Sequence, residues 1–153
     1  MSKEIHVNIG EIKIAKAPDM LKSLLGSCIG IGFVWRKKKI FGLAHCLLPI
    51  GSDANNSASA RYISEAVPQL IKQMGIEKRD RKYIEVHIAG GASTLNQNYN
   101  IGEKNIVAVR EVLNEYGFTV KYEDLGGELS RQIVVDCNKY DVDIKVLNRA
   151  VGS

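Results

Sequence analysis

The chain has 153 residues, a formal net charge of +4, and 45% hydrophobic and 25% charged residues. A domain of this length buries about 70% of the surface that its unfolded chain exposes, so it needs neither a disulfide nor a metal ion for stability. The excess of positive charge is mild, and we find no recognition helix, aromatic RNA-binding motif or long basic tract. We therefore expect one domain over residues 1–153 that does not bind nucleic acid.

The cysteines and the apolar runs indicate the compartment. Three cysteines occur at unpaired spacings, and the first residues do not form a secretory signal peptide. This usage predicts reduced thiols in the cytoplasm. No apolar run approaches the ~20 residues of a membrane-spanning helix, so we expect no direct insertion into a membrane.

The periodicity of the apolar residues divides the chain into strands and helices. Alternation predicts half-buried strands, and a repeat of three to four residues predicts amphipathic helices. Strands outnumber helices and hairpins outnumber strand–helix–strand units, which predicts an α+β fold: a layered sandwich of mixed and antiparallel sheets flanked by helices. In chain order, we predict one bent strand or two short strands over 5–14, a hairpin of strands 29–35 and 40–47, a loop over 49–58, a helix over 59–74 bent at Pro68, a strand over 83–89, a helix over 102–116, a strand over 118–122, and a closing hairpin of strands 131–135 and 142–147.

The first hairpin brings a cysteine and a histidine together. With a two-residue loop over 36–37, Trp35 pairs with Lys38. Cys28 then lies directly opposite His45, with Cβ atoms roughly 5 Å apart on one face of the sheet. A slip of one residue would place the two side chains on opposite faces. A thiol beside an imidazole is the minimal set for nucleophilic acyl chemistry.

We assign structural roles to the remaining cysteines and histidines. Cys46 neighbours His45 in its strand and should point to the opposite face, into the core. His6 and His87 are ordinary strand residues, and Cys137 lies near a turn. The spacing of these residues matches no standard zinc pattern, so we expect no metal ion.

Several short segments together carry a family signature. They are residues 25–28 (Leu-Gly-Ser-Cys), 42–45 (Gly-Leu-Ala-His), 47–49 (Leu-Leu-Pro), 60–62 (Ala-Arg-Tyr), 88–93 (Ile-Ala-Gly-Gly-Ala-Ser), 100–105 (Asn-Ile-Gly-Glu-Lys-Asn) and 123–127 (Glu-Asp-Leu-Gly-Gly), with Arg131. In this order and spacing, the sequence from about Ile9 to Leu147 resembles the chemoreceptor glutamine deamidase family of bacterial and archaeal chemotaxis, CheD.

The resemblance implies a cysteine hydrolase that works without a cofactor. Its substrate would be the helical cytoplasmic domain of methyl-accepting chemoreceptors, in which it converts selected glutamine side chains to glutamate. Some family members also hydrolyse receptor methyl esters. The resemblance further implies a protein partner, a CheC-type phosphatase.

The catalytic set of the family is a Cys, a His and a Thr shortly before the Cys. Cys28 and His45 carry over directly. Ser23 is the hydroxyl nearest to the Thr position and would orient the imidazole, as third members of triads do. An alternative alignment places Lys22 there instead. Residues 124–126 (Asp-Leu-Gly) also depart from the family's usual Asp-Thr-Gly.

Attack of the thiolate on a glutamine carboxamide creates an oxyanion, which needs hydrogen-bond donors. The backbone around Cys28 and the glycine turn after strand 83–89 are candidates for this role, and two arginines are candidates for lining a substrate groove. These candidates are Gly26, Ser27, Gly90 and Gly91 for the oxyanion, and Arg61 and Arg131 for the groove.

Two other functions remain open. In the first, the chain mainly binds and regulates a CheC-type phosphatase and deamidates weakly or not at all; the replacement of Thr by Ser23 favours this alternative. In the second, the chain is a papain-like peptidase, which usually has its histidine far downstream of the nucleophile. Alkylation distinguishes the deamidase from the binding module. An activated Cys28 should react with iodoacetamide well below pH 8, and an inactive one should not.

Overall fold

The computed structural model describes residues 2–53, 58–93 and 100–147. In these residues two sheets stack face to face, and two helices cover the outer face of one sheet. The layers are therefore helices, a five-stranded sheet and a four-stranded sheet. This arrangement confirms the predicted α+β sandwich. Within the same residues, no helix combines the length and the apolar character needed to cross a membrane.

Most predicted elements are present within a few residues of their predicted bounds. The N-terminal apolar run forms two short strands, which belong to different sheets. The elements are β1 (Glu4–His6), β2 (Ile12–Ala15), β3 (Met20–Leu25), β4 (Ile29–Trp35), β5 (Ile40–Cys46), α1 (Ile63–Met74), a 3-10 helix (Lys78–Tyr83), β6 (Glu85–Gly90), α2 (Ile101–Glu115), β7 (Val120–Leu125), β8 (Arg131–Asp136) and β9 (Asp141–Val146).

The five-stranded sheet has the order β2-β5-β4-β6-β7. Its β6–β7 pair is parallel and its other pairs are antiparallel. Every residue of β4 is buried, because the helices cover one face of this strand and the second sheet covers the other. Burial on both faces explains why β4 reads as a continuous apolar run without alternation.

The register of the β4–β5 hairpin corrects the predicted pairing. Trp35 pairs with Ile40, and Gly30 pairs with His45. The predicted pairing of Cys28 with His45 is therefore wrong by two residues. Because side chains alternate between faces with a period of two, a two-residue shift keeps both side chains on the same face of the sheet.

The hairpin loop has four residues instead of the predicted two. Lys39 adopts a left-handed conformation with a φ of 58°, and its N–H donates to the carbonyl of Arg36 at 3.1 Å. The resulting register buries Trp35 against the helix layer, with Ile40 packed beside it. Burial of this large aromatic side chain outweighs the preference for a shorter loop.

The four-stranded sheet has the order β1-β3-β8-β9 and depends on a strand that the apolar pattern does not predict. In β3, Leu21, Ser23 and Leu25 are buried, and the intervening residues face outward. A serine at an inward position interrupts the apolar alternation. The predicted closing hairpin is confirmed as β8 and β9.

Helix α1 begins at Ile63, four residues after its predicted start, because the chain before it is extended. Ala60 donates its N–H to the carbonyl of Gly10, and Tyr62 forms a parallel bridge with Leu48. Pro68 lies inside the helix without ending it. The helix ends at Met74 as predicted, and Gly75 caps it with a φ of 70°.

Candidate active site

The segment that carries the cysteine is fixed against the end of β6. Cys28 lies in a bend between β3 and β4 and is 7% exposed. The carbonyls of Gly26 and Cys28 accept hydrogen bonds from the N–H groups of Ala92 and Gly91, both at 3.0 Å. The thiol therefore occupies a loop that is held to a neighbouring strand through its backbone.

The predicted glycine turn is in direct contact with this loop. Gly90 has a φ of 114°, and a Cβ built there would lie 2.0 Å from the carbonyl oxygen of Cys28. Only glycine allows so close an approach of two backbones. The N–H of Gly91 is already bonded to that carbonyl, so Gly91 shapes the loop and is not a free oxyanion donor. Gly26 is different, because a Cβ there would meet nothing closer than Ser130 Oγ at 4.0 Å.

His45 is held by three hydrogen bonds from the segment that joins β1 to β2. Its backbone N–H donates to the carbonyl of Glu11 at 3.0 Å, and its carbonyl accepts from Gly10 at 2.8 Å. Its ring Nδ1 lies 2.9 Å from the carbonyl oxygen of Val7. Sequence reasoning missed Val7, because the group that acts is a backbone atom.

The bond to Val7 determines the tautomer of the imidazole. A carbonyl oxygen only accepts hydrogen bonds, so Nδ1 of His45 carries the proton. In the neutral ring, Nε2 then carries the lone pair. This atom is buried and has no hydrogen-bond partner among the described residues. The ring is therefore held in the form of a general base.

Ser23 contacts the same carbonyl oxygen. Its hydroxyl is buried and donates to the Val7 oxygen at 2.7 Å, so the serine and the imidazole share one acceptor. Ser23 therefore acts on His45 through Val7, and a role in catalysis stays a prediction. Lys22 faces outward and pairs with Glu4 at 3.2 Å, which removes it as the alternative third member.

Cys28 and His45 share the face of the five-stranded sheet that is turned toward the other sheet. His45 pairs with Gly30, and Cys28 lies two positions before Gly30, just outside the ladder and buried between the two sheets, so the two side chains occupy positions close to those of a diagonal pair. Diagonal pairs remain within reach of longer side chains. Cys46 points to the opposite face and is fully buried against the helices, which confirms its predicted core role.

The surroundings favour a neutral pair in the resting protein. Burial raises the pKa of the Cys28 thiol, and its own backbone N–H partly opposes this effect. Burial lowers the pKa of His45, against the opposing effects of the Val7 hydrogen bond and the charge of Glu11. Thiol and imidazole are therefore expected to exchange the proton during attack. These surroundings oppose an ion pair of thiolate and imidazolium before substrate binds, and alkylation of Cys28 well below pH 8 stays a prediction.

The two arginines predicted to line a substrate groove differ in their burial and in their contacts. Arg131 is buried; its Nε lies 3.2 Å from Asp124 Oδ1, and its Nη1 lies 3.3 Å from the carbonyls of Gly90 and Leu129. Arg131 therefore stabilises the glycine turn through the carbonyl of Gly90. Arg61 is exposed, and its guanidinium lies 5.9 Å from the ring centroid of Tyr62.

Asn105 is the polar side chain near the site that sequence reasoning missed. It lies on α2, is fully buried, and contacts the loop before Cys28 and the segment after His45. The sequence contains a signal for it, because Asn105 is a polar residue within the apolar stripe formed with Ala108, Val109 and Val112.

No group of three or more His, Cys, Asp or Glu side chains in the described ranges is arranged to hold a metal ion. The three cysteines are unpaired and buried. What the arrangement can do is nucleophilic acyl transfer, in which a thiol attacks and an oriented imidazole moves the proton. The fold and the site together define a candidate cysteine hydrolase.

Comparison with known proteins places the chain within this class. Residues 47–146 match the model of the family described as CheD chemotactic sensory transduction. A probable chemoreceptor glutamine deamidase CheD 2 of Ruegeria sp. (strain TM1040) is 31% identical over 172 aligned positions, covering 98% of this chain and 96% of the relative. The chain belongs to the CheD family.

Two further relatives have the same name, probable chemoreceptor glutamine deamidase CheD. The protein from Bdellovibrio bacteriovorus is 36% identical and covers 82% of this chain and 83% of its own length. The protein from Archaeoglobus fulgidus is 37% identical, with 87% of each chain covered. Among solved structures, the hypothetical protein YfiH of Bacillus licheniformis matches with a TM-score of 0.44 and 14% identity, over 74% of this chain and 49% of that one.

Proposed function

We propose that this protein deamidates glutamine side chains of chemoreceptors to glutamate, with Cys28 as nucleophile and His45 as general base and acid. The observation that carries the proposal is the hydrogen bond from His45 Nδ1 to Val7, because it leaves Nε2 as a base on the face that bears the thiol. Membership of the CheD family, whose relatives are named as chemoreceptor glutamine deamidases, supplies the substrate class.

The reaction proceeds in two acyl-transfer steps. His45 Nε2 takes the thiol proton as Cys28 Sγ attacks the carboxamide carbon, and the carbon–oxygen double bond becomes an oxyanion. When the oxyanion collapses, the carbon–nitrogen bond breaks, and His45 returns the proton to the nitrogen, which leaves as ammonia. A thioester joins Cys28 to the former glutamine side chain.

Water completes the cycle. His45, neutral again, takes a proton from a water molecule whose oxygen attacks the thioester carbon. The carbon–sulfur bond breaks, the glutamate side chain is released, and the proton on His45 returns to the thiolate. A receptor methyl ester would form the same thioester with methanol as the leaving group.

Residues that build the site lie between Val7 and Arg131, so we propose that residues 1–153 act as one deamidase domain. The need for a reduced thiol at Cys28 supports a cytoplasmic location, and the CheC-type phosphatase stays the proposed protein partner. Each of these statements depends on the family resemblance and on the chemistry of the site.

Mass spectrometry of a receptor cytoplasmic fragment tests the proposal. The fragment is incubated with the unaltered protein, with Cys28→Ala and with the control Cys46→Ala, which removes a buried thiol from the opposite face of the sheet. We expect conversion of specific glutamines to glutamate with the unaltered protein and the control, and none with Cys28→Ala. Conversion that survives Cys28→Ala would refute the mechanism.

The thioester has its own test. Hydroxylamine present during the reaction should capture the acyl group as a hydroxamate at the same glutamines, because it attacks thioesters readily. Glutamate without hydroxamate would indicate direct attack by water. No conversion by the unaltered protein, together with binding to a CheC-type phosphatase, would support the alternative of a regulatory binding module.

A further inference from the structure

The loop of the nucleophile has three consecutive carbonyls, and each of them is occupied. Those of residues 26 and 28 accept hydrogen bonds from backbone N–H groups at the end of β6. The middle one, of Ser27, accepts from a side chain: Nδ2 of Asn105 at 2.9 Å. Asn105 is thus the side chain that holds the peptide group directly before Cys28.

The orientation of the Asn105 amide is fixed by its partners. Its Nδ2 also donates to the carbonyl of Leu47 at 3.1 Å. Both N–H bonds of the side-chain NH₂ group are therefore donated to backbone carbonyl oxygens. Only the NH₂ end of the side chain can make these two bonds. The Oδ1 atom is buried without a hydrogen-bond partner among the described residues. A buried polar group left half unsatisfied costs stability, which argues for a functional reason to retain it.

Helix α2 is seated so that Asn105 reaches both carbonyls. Gly102, one turn earlier, packs against the backbone at the end of β6, where a Cβ would lie 2.4 Å from the carbonyl of Ala92 and 2.5 Å from that of Gly91. The same two residues donate the N–H bonds to the nucleophile loop. The helix, the glycine turn and the loop therefore form one packed unit.

The bond to Ser27 sets the direction of a neighbouring donor. The carbonyl of Ser27 and the N–H of Cys28 belong to one planar trans peptide group, in which they point in opposite directions. By holding the oxygen toward α2, Asn105 turns the N–H of Cys28 away from α2. That N–H belongs to the residue that carries the attacking sulfur, as does one donor of the oxyanion hole in serine proteases. An accepted hydrogen bond at the carbonyl also polarises the N–H of the same peptide group.

We propose that Asn105 is a positioning residue that aims the backbone N–H of Cys28 at the oxyanion formed when Cys28 attacks the glutamine carboxamide. This inference deepens the proposed deamidation and rests on it. The bond to Leu47 gives Asn105 a second role, because it ties the loop of the nucleophile to the segment that follows His45, beyond the last pair of the β4–β5 ladder.

The test compares two reactions of the same thiol. Alkylation by iodoacetamide uses the Cys28 sulfur and forms no oxyanion, whereas deamidation needs one to be stabilised. In Asn105→Leu, which has a similar shape and no donor, we expect kcat for receptor deamidation to fall on the order of 10- to 100-fold with KM nearly unchanged. We expect the alkylation rate at about pH 8.5, near the pKa of a free thiol, to change less than about twofold. Asn114→Leu, an exposed asparagine on the same helix, serves as the matched control.

Parallel losses of alkylation and deamidation in Asn105→Leu would overturn the inference, because they would indicate a loosened loop. An unchanged kcat would overturn it as well. If Asn105→Leu does not fold, Asn105→Asp keeps the shape and gives the second measurement. At each pH, its ratio of deamidation to alkylation is divided by that of the unaltered protein, which cancels the ionisation of the thiol. This relative ratio should decrease as the carboxyl ionises with rising pH, and a relative ratio that stays constant would contradict the proposal. Absence of deamidation by the unaltered protein, with normal alkylation, would instead refute the proposed function.

Discussion

The two ends of the β4–β5 hairpin hold their polar groups by different means. At the Cys28 end, the imidazole of His45 and the hydroxyl of Ser23 are buried and bonded to one backbone carbonyl, that of Val7. At the loop end, the charges are partly exposed and bonded to each other: Glu85 accepts from Arg36 and, at 3.0 Å, from Lys121.

The two ends differ in whether a polar group that loses its protein partner can bond to water instead. An exposed charge that loses its partner returns to water at little cost, so surface ion pairs contribute about 0–1 kcal/mol. A buried donor or acceptor that loses its partner pays its desolvation, about 1–3 kcal/mol. Substitutions should therefore have large and specific effects at the Cys28 end and small effects at the loop end. The following predictions test this contrast, from the largest effect to the smallest.

The sharpest contrast is between two buried histidines. Replacing His45 by alanine removes the base, and we expect kcat for deamidation to fall on the order of 10²- to 10⁴-fold. His87→Ala is the matched control, because His87 is also buried but lies toward the loop end, with Nε2 3.9 Å from Glu85. Its kcat should stay within about threefold of the unaltered value. Ammonia release from a receptor fragment measures both, and equal losses would break the contrast.

Two glycines near the nucleophile should lose very different amounts of stability when replaced by alanine. Gly90→Ala places a Cβ 2.0 Å from the Cys28 carbonyl at a positive φ, so we expect a loss of at least about 3 kcal/mol of folding free energy. Gly26→Ala meets only Ser130 Oγ at 4.0 Å, an ordinary contact, and should cost less than about 1 kcal/mol. Chemical denaturation measures the two free energies. A stable, active Gly90→Ala would show that the loop of Cys28 can move aside.

Ser23 should have a moderate effect because it acts through Val7. Ser23→Ala leaves the Val7 carbonyl with its bond from His45, so we expect a loss of about 1 kcal/mol of stability and about tenfold or less in kcat. Ser23→Thr keeps the donor and should retain activity. Lys22→Ala, on the outward face of the same strand, is the control for kcat. A loss from Ser23→Ala as large as that from His45→Ala would make Ser23 a direct partner in the proton transfer.

The buried histidines should also make stability depend on pH. Burial lowers the pKa of both His45 and His87 in the folded protein, whereas an unfolded histidine titrates near about 6.5. Below that pH the unfolded chain binds protons that the folded one does not. Stability is therefore full above pH ~6.5 and decreases as the pH falls below it. Thermal unfolding between about pH 7 and pH 5 should show this decrease, and His87→Gln should make it shallower. An equally steep decrease in that variant would exclude His87 as a contributor.

The smallest effect is expected at the hairpin loop. Lys38→Ala should change the free energy of unfolding by less than about 0.5 kcal/mol, because the side chain is exposed. Glu85→Gln weakens the two partly exposed pairs with Arg36 and Lys121 and should cost about 1 kcal/mol or less. Deamidation of a receptor fragment should be unchanged in both variants. A raised KM for Lys38→Ala would show that the loop contacts the substrate.

Much of the fold could be predicted from the sequence, and the failures have identifiable causes. The loop of residues 36–39 contains no glycine or asparagine to fix its length, so burial of Trp35 decided the register. The apolar pattern does not predict β3, because the polar Ser23 occupies one of its inward positions and interrupts the alternation. The start of α1 was placed too early because Ala60 is held extended by a distant partner, Gly10.

Some features of the candidate site could also be predicted from the sequence, and others could not. The shared face of Cys28 and His45 could be predicted, because the spacing of the two residues in the hairpin sets it. The Val7 carbonyl could not, because every residue has a carbonyl and only the folded chain selects this one. Asn105 was readable in principle as a polar residue in an apolar stripe, but its two distant carbonyl partners were not.

The acceptor that orients His45 has a consequence for how the enzyme can be inactivated. A main-chain oxygen is present whatever residue occupies position 7, so no codon change at that position deletes it. Its location depends instead on the docking of β1 beside β3, three residue pairs near the chain's beginning, and on the bond from Val7 N–H to Lys22 at 2.8 Å. We therefore expect proteolytic clipping or an N-terminal fusion that displaces this strand to abolish the proposed catalysis while leaving Cys28, His45 and Ser23 unaltered.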